Sequence, residues 1–479
     1  MTIRKPIPTA AGDASGAGEL RGLTGLRIVA AAWVVLFHFH FTPLPGVAEV
    51  VGVLGPLITS GALGVDLFFV LSGFVIAHTY LDRLGPSLQV GPTARFVWAR
   101  ACRIWPAYVL VFNLFGIWLV ARLVFGHDAD IAFQAVQPQV NLGQWAAQMF
   151  MVQLWDQPMF DGASWVGPTW SISAEWLAYL LFPVAALVFF RLRRLPAPVL
   201  MLGAFALMVP MTWAYLSTGN PYFEWSWLVR ILCGFGAGVL THLAVRRLRG
   251  GSAVNRRASV VAAVVPVLIV GGLLVGDDFG EGRGGAVIAL FPLLVGALAL
   301  ADRGPAVLLS SRPAVYGGYL SYALYLVHIP LFEVYWLAQR YVPWLAGDTV
   351  AADLVAVGVV LATLPVAAAI YRLVEEPSRR QLRALARPER PVVVLPAARR
   401  PVPSVVVPTV VVPAQANDPV AAVTARRAAS RHAASPHRQS TLAAALVKAQ
   451  RRRPAHRAQL AEELDRAAFI RTRYLQAGN

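Results

Sequence analysis

A guanidinium and an imidazole stand eleven residues apart, Arg27 and His38, in the apolar stretch RGLTGLRIVAAAWVVLFHFHF. An α-helix turns 100° per residue, so the two side chains fall within about 20° of one face, roughly 16 Å apart along it. His40 points about 160° away from Arg27 by the same arithmetic. An imidazole deep in an apolar helix is costly and marks a site of proton transfer, nucleophilic attack or ion passage. The competing reading is a bundle-facing histidine held by a neighbour's hydrogen bond.

Other groups of the same kind follow. In GALGVDLFFVLSGFVIAH, Asp66 stands one turn into a second apolar segment, with Gly73 on nearly the same face for close helix approach. In ARFVWARACRIWPAYVL, Arg100 and Arg103 lie one turn apart, a spacing that lets two forked donors hold one anion or merely flank a membrane span. In WVGPTWSISAEWLAYLLFP, Ser171 and Glu175 share a face near the expected outer end of a helix. In YLSYALYLVHIPLF, Ser321, Tyr325 and His328 form one polar stripe, with Pro330 expected to kink the helix beyond it. Such a stripe lines a substrate path or joins helices.

The elements that must position these groups are membrane helices. Of the 479 residues, 57% are hydrophobic and 14% charged, an apolar share too large for an ordinary soluble domain. Ten spans are expected at 24–43, 62–81, 104–125, 171–190, 197–216, 228–246, 258–276, 285–301, 315–338 and 350–373. The stretch 141–155 is apolar but too short to cross, and reads as an interfacial or re-entrant piece. Arginines cluster after the second, fourth, sixth and eighth spans, whereas no Lys or Arg occurs between His38 and Leu81 or between Leu123 and Phe190. By the positive-inside rule both termini are expected in the cytoplasm of a bacterial-type plasma membrane. Residues 1–20 form a short cytoplasmic lead with no apolar core, not a cleavable signal. Pro377 is expected to end the membrane part at VEEPSRR.

The net charge of +17 is concentrated in the tail, where residues 375–479 hold nineteen Lys/Arg against seven Asp/Glu. Residues 381–415 read as a Pro/Val-rich linker and 416–479 as a basic cytoplasmic tail lying on the anionic lipid surface. The tail lacks interleaved aromatics, so no nucleic-acid partner is expected. Cys102 and Cys233 have no metal-like spacing, and neither a disulfide framework nor a metal site is expected.

The order of the motifs resembles acyltransferase family 3, polytopic membrane O-acyltransferases, over residues 21–380. The resemblance rests on RGLTGLR with Arg27 and His38, GVDLFFVLSGF, the RxxR of Arg100 and Arg103, WSISAE, SYALYLVHIP and the closing EEP. It implies an all-α membrane enzyme that moves an acyl group, acetyl first among the candidates, from cytosolic acyl-CoA to a hydroxyl. The acceptor it implies is a carbohydrate on a surface polymer, glycolipid or antibiotic. His38 would be the catalytic residue, as general base or as transient acyl acceptor, with Arg27 supporting the donor and Asp66, Glu175 and His328 tuning His38 or binding the acceptor. Arg100 and Arg103 would hold the donor, and Ser171, Tyr325 and His328 would line the acceptor. The chain departs from the family where Trp176 and Leu177 replace a second glutamate and a glutamine after Glu175. The family's occasional fused hydrolase-like module is not expected in so short and basic a tail. Two other readings remain: a transporter that uses the buried His, Asp and Glu as a proton or substrate path, and an acyltransferase acting on a small cytoplasmic glycoside.

Overall fold

The computed structural model describes residues 20–126 and 128–385. The N-terminal lead, nearly all of the linker and the basic tail lie outside them. The described residues are helical, without strands, and ten helices are long and apolar enough to cross a membrane. They are α1 (Arg21–Phe39), α2 (Leu63–Leu84), α3 (Val90–Gly126), α4 (Trp170–Leu192) and α5 (Ala197–Thr218). After them come α6 (Ser226–Leu248), α7 (Ser252–Gly276), α8 (Arg283–Leu300), α9 (Arg312–Tyr341) and α10 (Val350–Ile370). Each matches an expected span. The largest difference is α3, which begins 14 residues earlier and at about 1.5 Å per residue outruns the bilayer.

Helices α2, α6 and α9 are the most enclosed, whereas α3, α5, α7 and α10 turn Ile117, Leu202, Val267 and Leu361 outward. Outward apolar side chains suit hydrocarbon, where only closed backbone hydrogen bonding survives. Small residues set the close helix pairs. A Cβ at Gly73 of α2 would collide with the Phe235 carbonyl of α6, and one at Gly238 of α6 with the Val70 carbonyl of α2. Likewise Gly318 of α9 meets the backbone of Thr24 in α1.

One local expectation changes. Glu376 and Pro377 do not end the helical run. A π-helical turn, Tyr371–Glu375, joins α10 to a further helix, Glu376–Leu385, whose second residue is the proline. Pro330 lies inside an α9 that remains helical to Tyr341.

The segment 141–155 does not form a span and packs against α3 and α4. It holds one eight-residue helix, Leu142–Met149, capped by Asn141, and Met151 adopts a left-handed conformation (φ 58°). Ser171, only the second residue of α4, is already level with Tyr325, the fourteenth of 30 in α9. The connection before α4 therefore descends well into the bundle. The Trp105 indole donates to the Met149 carbonyl and the Ser173 hydroxyl to that of Met151.

Helices α2 and α6 are also pinned by a buried ion pair. Arg230 donates from Nε to Asp66 Oδ1 (2.9 Å) and from Nη2 to Oδ2 (2.7 Å), with both residues about 2% exposed. Removing one partner strands the other charge, which typically costs about 3–5 kcal/mol. Asp66→Ala should therefore sharply lower the thermal midpoint in detergent, and the double change Asp66→Leu with Arg230→Met should recover most of it. A single variant as stable as the parent would show that the pair carries no structural load.

Candidate active site

Helices α1 and α9 bring two imidazoles together in the bundle interior. His38 is the second-last residue of α1 and is 6% exposed, and His328 is fully buried in α9. His38 Nδ1 lies 2.9 Å from the Val34 carbonyl and 3.2 Å from His328 Nε2. A carbonyl only accepts, so His38 Nδ1 carries the proton, and His328 Nε2, facing that same N–H, accepts. The remaining proton of a neutral His328 then sits on Nδ1, near the Leu324 and Tyr325 carbonyls but without a formed hydrogen bond. This arrangement leaves His38 Nε2 with its lone pair, ready to take a proton. Phe133 closes on the His38 ring edge-to-face, with centroids 4.8 Å apart.

His40 is different. It lies beyond the end of α1, half-buried, with Nδ1 against the Phe37 carbonyl and its ring against Phe41.

The polar stripe of α9 continues from His328. The Tyr325 ring is 5.7 Å from that of His328, and its hydroxyl is 2.7 Å from Ser171 Oγ and from the Pro168 carbonyl. Ser171, Tyr325, His328 and His38 thus form one continuous polar line.

Two to three helical turns from the histidines stands a cationic cluster. The Arg27 guanidinium lies over the Phe68 ring at 5.7 Å and reaches Ser321 Oγ at 3.5 Å. Arg100 donates from Nη2 to the Tyr80 hydroxyl (3.0 Å), and its buried Nε has no partner. Arg103 forms an ion pair with Glu375, the buried last residue of the π-helical turn, and lies over the Tyr322 ring at 5.7 Å. Arg27, Arg100 and Arg379 all lie close enough to act on Arg103.

Glu175 belongs to this cluster and not to the outer end of α4, where sequence position alone put it. Its Oε1 accepts from Ser72 Oγ and Tyr179 OH, each at 2.6 Å, and it lies near Arg100. The displacement follows from the deep start of α4. A polar network around Glu175 is thus present although Trp176 and Leu177 stand beside it. Asp66 stands apart, because Arg230 takes both of its oxygens.

Three charged residues escaped sequence reasoning. Arg230 was hidden inside WLVRILCGFG, but a lone arginine in an apolar run is a signal for a buried acidic partner. In the sequence Glu375 stands out only as part of the closing EEP. Glu333, five residues beyond His328, accepts the backbone N–H groups of Ala132 and Phe133 at 2.9 Å each. Among the described residues no group of three or more His, Cys, Asp or Glu could hold a metal ion.

The chain is 28% identical over 170 residues to the Acyltransferase MdmB of Streptomyces mycarofaciens, covering 35% of this chain and 39% of that protein. It is 29% identical over 181 residues to the Peptidoglycan O-acetyltransferase OatA of Listeria monocytogenes, covering 35% of this chain and 24% of that protein. A third relative, Protein 2 in the picA locus of Rhizobium radiobacter, is 39% identical over 111 residues, covering 23% and 50%. The chain spans half or less of the length of each of these relatives. No solved structure matches it. The family described as Acyltransferase domain, acyltransferase family 3, matches residues 20–372, from the first residue of α1's entry through α10 and into the π-helical turn, and the chain belongs to that family.

Proposed function

We propose that this protein transfers an acyl group from cytosolic acyl-CoA to a hydroxyl of a carbohydrate-containing acceptor on the extracytoplasmic side, with acetyl the first candidate. Both termini would lie in the cytoplasm of a plasma membrane, as the arginine-rich connections suggest. The observation that carries the reading is the place of His38 Nδ1 between the Val34 carbonyl and His328 Nε2, from which a lone pair on His38 Nε2 follows. The name of the OatA relative, a peptidoglycan O-acetyltransferase, supports a glycan acceptor.

In this reading His38 Nε2 takes the proton of the acceptor hydroxyl as its oxygen attacks the thioester carbonyl. The carbon–sulfur bond then breaks, and the imidazolium returns the proton to the departing thiolate. The positive charge on the ring is met through Nδ1 by the Val34 carbonyl and by His328 Nε2. Arg100, with its open Nε, and Arg103 would hold the donor's phosphates, and Arg27 would support the donor on the path to His38. Arg103 is already paired with Glu375, so donor phosphate competes there with a carboxylate. Ser171 and Tyr325 would bind the acceptor beside the histidines.

Replacing His38 with Ala should lower acyl transfer by about 100- to 10,000-fold at unchanged protein level, the usual range for loss of a general base. His40→Ala should remain within a few-fold of the parent, and equal losses in both would overturn the assignment. The donor side is tested separately. Arg100→Ala should raise the KM for acyl-CoA and leave the acceptor KM nearly unchanged. A shift in the acceptor KM alone would move the arginine to the other substrate.

A further inference from the structure

The long connection between α3 and α4 is fastened to α9 on the side of His38 opposite the cationic cluster. At its start Asp128 meets Arg122 at 3.0 Å and Arg340 at 2.9 Å. Four residues on, Glu333 takes up two consecutive backbone N–H groups, one on each carboxylate oxygen. Gln134 then donates to the carbonyls of Ser164 and Trp165 at the other end of the connection.

Glu333 is 1% exposed, so its carboxylate is removed from solvent and its hydrogen bonds are directed at one short piece of backbone. That piece carries Phe133. The ring packs against His38 on one side and against Phe41 (5.3 Å), yet Phe133 remains only half-buried. An aromatic ring in that position presents an apolar face beside the imidazole. The C–H bonds of a sugar ring pack on such a face while its hydroxyls point to the neighbouring polar group.

We propose that Phe133 is the acceptor-side wall of the transfer site and that Glu333 is a positioning residue that sets the wall by fixing the Ala132–Phe133 backbone. This inference rests on the reading of His38 as the proton acceptor. Phe133 touches the acceptor and Glu333 does not. Their effects therefore fall on acceptor binding and turnover and leave the donor untouched.

The test is steady-state kinetics on the full chain in membranes or detergent, varying acyl-CoA and an acceptor glycan independently, with folded protein measured by size-exclusion chromatography. Phe133→Ala should raise the acceptor KM roughly tenfold, about the worth of a good aromatic contact, and leave the donor KM within twofold. Phe133→Trp, which keeps an aromatic face, should recover most of the loss. Glu333→Ala should reproduce the Phe133→Ala effect, and the double variant should be no worse than either single one. Glu333→Gln, which keeps one acceptor oxygen but sets an NH2 against the second N–H, should fall between parent and Glu333→Ala. A purely structural Glu333 would lower the yield of folded protein without changing the KM of what remains, and that result overturns the proposal. So do additive losses, or a shift in donor KM. His38→Ala is measured alongside. If it retains full transfer, the His38 reading itself fails. If it is inactive while the Phe133 and Glu333 variants match the parent, only the present inference fails.

Discussion

A polar side chain inside an apolar bundle must find its partner within the bundle, because the hydrocarbon supplies none. This constraint organises the whole molecule. Arg230 draws Asp66 across from α2, Glu333 draws the α3–α4 connection down onto α9, and His328 faces His38 across the α1–α9 seam. Each of these contacts fixes the relative depth of two elements that apolar packing alone would let slide. Glycines then permit the approach, as Gly73 and Gly238 do between α2 and α6.

The same constraint sorts charge along the length of the bundle. Arg27, Arg100, Arg103, Glu175 and Glu375 gather at one level, and the two histidines stand further along α1 and α9. About 16 Å of helix separates Arg27 from His38. In the proposed reading, a donor with an anionic head and a long thioester arm would match that separation, its phosphates at the cations and its acyl carbon at His38. The connection between α3 and α4 closes the opposite side, where Phe133 lies on His38.

Much of this was legible in the sequence. All ten spans follow from apolar runs, and the shared face of Arg27 and His38 follows from helical periodicity. The stripe of Ser321, Tyr325 and His328 was visible for the same reason, because one helix carries all three. What the sequence concealed was depth and cross-helix pairing. Glu175 reads as an outer-end residue until the descent of 141–169 is seen to start α4 midway through the bundle. Asp66 reads as an acid beside the histidine until Arg230, 164 residues away, is found on it. Glu333 and Phe133 are separated by 200 residues and joined by backbone groups, which no side-chain pattern records. The helical continuation past Pro377 depended on a π-turn that residue preferences do not announce.

The central claim is that the donor and acceptor meet at His38 from opposite sides of the membrane. The most direct measurement uses sealed vesicles of known orientation, with acyl-CoA on one face and an acceptor glycan that cannot cross the bilayer on the other. The account predicts acylation only when acyl-CoA is at the cytoplasmic face and the glycan at the outer face, and none in vesicles carrying His38→Ala. Efficient acylation with both substrates confined to the cytoplasmic face would contradict it.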